Sequence, residues 1–145
     1  MDAEELVRRY AAGEKDFRAV DLHGVDLSGA RLKGTDLTEA TLTLANLSNA
    51  GLYRANLHGA DLSDADLRGA NLHDTYLKGA TLTGTNLGGA NLAGAVLSGA
   101  DLISATLTSV ALTGANLSGA TVTAKHLAQA KSLKGAIMPD GTVHP

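Results

Sequence analysis

The chain has 145 residues, the length of one domain. Apolar residues make up 44% of it, yet there is no Trp, one Phe and three Tyr, so a core must be filled by Leu and Ala in regular layers. The absence of Cys excludes disulfides, thiolate metal sites and a Cys nucleophile, and a net charge of −3 is too mild to demand a highly charged partner.

The first predicted element is a helix within residues 1–13. Asp2 and Glu5 have capping-box spacing; Leu6, Val7 and Tyr10 form an apolar stripe; Gly13 suits the stop. The opening MDAEELVRRY has no apolar run, so it reads as neither a signal peptide nor a membrane span, and the expected location is cytoplasmic.

From Phe17 to Val122 an apolar residue returns every fifth position. Of these 22 central positions, 20 are Leu. Two places earlier stands Ala in 15 of them, one place earlier Asp or Asn in 13, and two places later Gly in 12. On a helix, a step of five scatters the leucines round every side. On a flat strand, an odd step throws successive leucines to opposite faces. The five-residue step must therefore be a repeat of the backbone itself, a short extended piece followed by a turn. Residues two apart in the extended piece point the same way, so the Leu and the small residue before it face inward together. Asn, Asp and Gly supply the turn, and the chain winds into a solenoid with coils stacked about 4.8 Å apart.

These residues resemble the pentapeptide-repeat family, whose pattern is A-(D/N)-L-x-x, over positions 16–123 in one register. The resemblance implies an all-β solenoid, a right-handed quadrilateral β-helix with four pentapeptides per coil and about five and a half coils. A 20-residue coil is also what the charges favour. Spaced by 20, Asp21, Thr41, Asp61, Thr81, Asp101 and Thr121 alternate acid with neutral, as do Asp26, Asn46, Asp66 and Asn86. Like charges directly opposed would destabilise a ladder, and only Asp16 over Asp36 breaks the rule.

Residues 124–145 read as a C-terminal helix over 124–131, with Thr123 as its cap, followed by a tail. The register breaks there, because Leu127 to Leu133 is a step of six. The two flanking helices would cover the open ends of the coil, and such flanks resemble those of cyanobacterial members of the family.

No catalytic, cofactor or metal residues are expected. His23, His58 and His73 fall on three different sides of a four-sided coil, and no Ser-His-Asp set converges. A solenoid filled by Leu and Ala leaves no pocket for an enzyme. The expected function is a non-catalytic protein-binding or scaffold module, acting on an unknown protein partner as a monomer or weak dimer, with no direct nucleic-acid or membrane binding. One alternative is a DNA-mimicking inhibitor of a type II topoisomerase (gyrase), an activity found among relatives that resemble DNA in shape and charge; here Arg31, Lys33, Arg54, Arg68 and Lys78 interrupt the acidic surface. Another is ice binding through Thr-x-Thr ladders, which Asp61 and Asp101 interrupt. Residues 79–124 carry a single charged side chain, Asp101, which suits either a self-association surface or plain repeat duplication. The candidate partner patch is Arg31, Lys33, Tyr53, Arg54 and His73, which the 20-residue register gathers on the side holding Leu32, Leu52 and Leu72.

Overall fold

A computed structural model describes all residues, 1–145. Parallel bridges join each residue before a central Leu to the one 20 positions later, from Asp16↔Asp36 through Asp101↔Thr121. Four pentapeptides therefore make one coil. We name the four faces by their first central residue: the Phe17, Leu22, Leu27 and Leu32 faces.

One repeat shows how the chain satisfies itself. Asn56 N–H donates to the Thr35 carbonyl one coil earlier at 2.8 Å, and Leu57 N–H to the Tyr76 carbonyl one coil later at 2.7 Å. Gly59 N–H reaches Lys78 at 3.0 Å, and Ala60 N–H closes the turn on Leu57 at 3.0 Å. Gly59 has φ +63°, the left-handed third residue of a type II turn. Nine turns place another residue there, Leu44 and Arg54 among them. A left-handed non-Gly residue costs about 1–2 kcal/mol, so the stacked coil must hold these turns in place.

The Asp or Asn of the repeat has a local task. At all 13 such positions the side-chain oxygen accepts the N–H two residues on, as in Asp61 to Ser63 at 3.0 Å. This Asx turn fixes where the chain bends. It also explains why acid and amide serve equally: both present the acceptor.

The inside is a continuous stack of Leu over Leu and Ala over Ala. Leu57, Leu77 and Leu97 lie in one column, each fully buried. A buried Leu side chain contributes roughly 1.5–3 kcal/mol, so many equal layers take the place of large aromatics. Thr35, Thr75 and Thr85 stand at the small inward position and are buried, and each hydroxyl donates to a Leu carbonyl.

Helix α1, Ala3–Ala11, lies over the first coil. Asp2 caps it by accepting the Glu5 N–H at 2.8 Å. Leu6 is buried, with Ala3 and Tyr10 packed against the same core. Val7 is 45% exposed and does not belong to the expected stripe. The covering face runs through positions 3, 6 and 10, and residue 7 is turned about 100° from residue 6.

The C-terminal region departs from expectation. Helix α2 spans only Ala124–Leu127, capped by Thr123, instead of 124–131. Leu127 still falls 20 residues after Leu107 and is buried. One extra residue then shifts the pairing to 21, giving Ala111↔Ser132 and Asn116↔Ile137. Residues 131–139 therefore continue the coil beyond the expected limit at 123, with Ala136 buried and Gly135 in the turn at φ +74°. Val143 folds back antiparallel on Ile137 and finishes the end.

Candidate protein-binding surface

Asn71 follows Gly51 and Gly51 follows Arg31 on the Leu32 face, each pair bridged one coil apart. Lys33, Tyr53 and His73 make the parallel outer column. The inward leucines 32, 52 and 72 are 0–1% exposed, so this face stands on packed core. The Tyr53 ring stacks on His73 at 5.4 Å between centroids and 9° between planes. On Tyr53 also converge Lys33 Nζ, 5.5 Å from the ring centroid, and Arg54 Cζ, at 5.1 Å. Arg54 projects from the left-handed turn position at φ +58°. Lys33, Arg54 and His73 thus gather round the Tyr53 ring. Arg31 is exposed on the same face and touches neither ring nor carboxylate.

The charges of this patch are unpaired. Asp74, the nearest acid, lies beside His73, with Oδ2 3.3 Å from Nε2, and does not pair with Arg31, Lys33 or Arg54. Elsewhere in the coil, arginines are neutralised within their own repeat. Arg68 grips Asp66 through two bonds, at 2.9 and 2.6 Å, and holds its carboxyl below the usual range. Arg18 does the same to Asp16, at 2.9 Å twice, which lowers that carboxyl to about 2. Arg18 also approaches Asp36 at 3.9 Å and so covers the one like-charge step in the ladder.

Three features escaped sequence reasoning. Tyr10 of α1 donates its hydroxyl to the Lys33 carbonyl at 2.8 Å, and Lys15 Nζ reaches the same carbonyl at 3.2 Å while lying 3.9 Å from the Tyr10 centroid. The cap therefore joins the patch. On the Phe17 face, His58 leans on Tyr76 at 5.8 Å, and the buried Nδ1 atoms of His58 and His73 have no hydrogen-bond partner. The 20-residue offsets do place Tyr76 beside the column of His58. Finally, the expectation of no pocket needs correction. The C-terminal end holds a cavity of about 610 Å³ between Val122, Leu127, Leu133, Met138 and the tail, because the last coil leaves its inward residues partly uncovered. A smaller one of about 240 Å³ lies beside Ile103 and His126.

No three His, Asp or Glu side chains converge on a metal position. No helix is long and apolar enough to cross a membrane.

A coil of stacked five-residue turns with flat outer faces defines a solenoid repeat protein. The family model "pentapeptide repeats" matches residues 16–50, 50–89 and 82–119, and the chain belongs to that family. Among solved structures it is similar to the pentapeptide repeat protein Rfr23 from the cyanobacterium Cyanothece 51142, at 28% identity over 88% of this chain and 98% of that one, with a TM-score of 0.78. It is also similar to HetL from Nostoc sp. strain PCC 7120, a pentapeptide repeat protein involved in heterocyst differentiation regulation, at 30% identity over 99% and 100% of the chains, with a TM-score of 0.37. QnrB1, a plasmid-mediated fluoroquinolone resistance protein, is 25% identical over 74% and 68%, with a TM-score of 0.46. No curated protein matches the sequence.

Proposed function

We propose that this protein is a non-catalytic protein-binding module: a right-handed quadrilateral coil, cytoplasmic, a monomer or weak dimer, that presents its Leu32 face to a protein partner. The observation that carries this reading is the set of unpaired cations held on the Tyr53 ring. Arg and Tyr are the residue types that most often anchor interfaces, and a rigid face loses little conformational freedom when it docks. Long unpaired cations would otherwise take solvent, as exposed pairs contribute only about 0–1 kcal/mol.

The charge pattern speaks against a DNA mimic. Asp21↔Thr41↔Asp61↔Thr81↔Asp101 keeps carboxylates two coils apart, about 9.6 Å, far sparser than the phosphates of a duplex. The same alternation interrupts a Thr lattice with acids, against ice binding. Gyrase supercoiling in the presence of this protein should be unaffected.

Affinity capture from the native host tests the reading. The parent protein is compared with an Arg31→Ala/Arg54→Ala variant, which should melt at nearly the same temperature. The partner should be retained by the parent and lost by the variant. Equal retention by both would remove the Leu32 face from the interaction.

A further inference from the structure

Resting on the binding-module reading, the geometry points to an acidic protein segment as the ligand of this face, laid along the rod from the α1 cap across three coils. The strip has a continuous order. Lys15 lies on the Tyr10 ring; Tyr10 is tied by its hydroxyl to the Lys33 carbonyl; Lys33 and Arg54 lie on Tyr53; Tyr53 stacks on His73. Arg31 stands beside Lys33 on the same face. None of Lys15, Arg31, Lys33 and Arg54 is within ion-pair distance of a carboxylate, whereas Arg9, Arg18 and Arg68 each hold one. Of the acids bordering the strip, Glu14 is held by Arg9, and Asp74 lies beside the His73 ring. Four positive charges therefore face solvent over a length on the order of 10 Å, two coil spacings.

This spacing suits several carboxylates on one short segment. The rings give flat apolar contact between charges, and an Arg fork can take a carboxylate through two bonds. A nucleic acid fits less well. Its affinity depends on many phosphate contacts and the strip offers four cations, with Asp26 and Asp36 on the adjoining Leu27 and Phe17 faces.

The test is an NMR titration of the whole protein with an octaglutamate peptide blocked at both ends, beside octaglutamine and an eight-residue thymidine oligonucleotide. Octaglutamate should perturb Lys15, Lys33, Tyr53 and Arg54 and leave Arg18 and Arg68 unmoved. Raising salt from about 50 to about 300 mM should weaken the binding several-fold. Lys33→Glu/Arg54→Glu should weaken it by about tenfold or more, and Arg18→Ala/Arg68→Ala should not. No perturbation of the strip, equal perturbation of Arg18 and Arg68, or tighter binding of the oligonucleotide would overturn the inference. A partner captured through Arg31 and Arg54 that octaglutamate fails to displace would also overturn it, while leaving the binding-module reading intact.

Discussion

The Asp64 carboxylate occupies the space where a side chain on Gly84, one coil later, would begin. Asn49 stands in the same relation to Gly69, and Asp74 to Gly94. At these three turns the Asn or Asp side chain leaves room only for Gly at the next turn of its column. Gly99 has the same conformation, φ +67° against +68°, with open space around it. Both Gly84→Ala and Gly99→Ala incur the left-handed cost of about 1 kcal/mol or more, and only Gly84→Ala must also push Asp64 from its rotamer, for about 0.5–1.5 kcal/mol more. Denaturant melts of both variants should show that excess, and Asp64→Ala should abolish it. Equal costs for the two glycines would refute the contact.

Leu67 is fully buried and Ala65 2% exposed in the middle of the core. Leu67→Ala should destabilise by roughly 2–5 kcal/mol, since closed layers on both sides cannot collapse into the gap. Ala65→Leu should destabilise by about 1–3 kcal/mol, because the small column has no spare volume. A parent-like melt of Ala65→Leu would mean that the column does not face inward.

Thr85 is buried and donates its hydroxyl to the Leu62 carbonyl at 2.7 Å. Thr85→Val keeps the shape and removes the bond, and should cost about 1 kcal/mol. A stabilised valine variant would show that the Leu62 carbonyl is satisfied by Ala65 N–H alone.

Acid should loosen the first coil. The Arg18 guanidinium and its backbone N–H hold the Asp16 carboxyl at about 2, below its ordinary 3.8. A folded value below the unfolded one adds stability that is present above 3.8 and lost as pH falls through about 2. NMR titration of Asp16 should give a depressed midpoint in the parent and a value near the ordinary one in Arg18→Ala. An unchanged midpoint in Arg18→Ala would assign the depression to another group.

The repeat was legible because a step of five in the letters is a step of the backbone. Tyr53 over His73 follows from that register, since residues 20 apart are neighbours. The Tyr10–Lys33 bond was not legible: it depends on how α1 settles over the first coil, which no spacing encodes. Val7 misled for a related reason, because two adjacent apolar residues leave open which of them turns inward. The continuation through Ser132 and Ile137 was hidden by one inserted residue and by Lys131 and Met138, where the repeat elsewhere has Ala and Leu. Pairing across the coil tolerated what the pattern did not.

Which face meets the partner is the centre of this account, and photo-crosslinking reads it directly. A benzophenone side chain at Ala93, next in the column after His73, is compared with one at Thr108, exposed on the Leu27 face. A captured partner should crosslink from position 93 and not from 108. Crosslinking from 108 with none from 93 would place the interface on the Leu27 face and contradict the account.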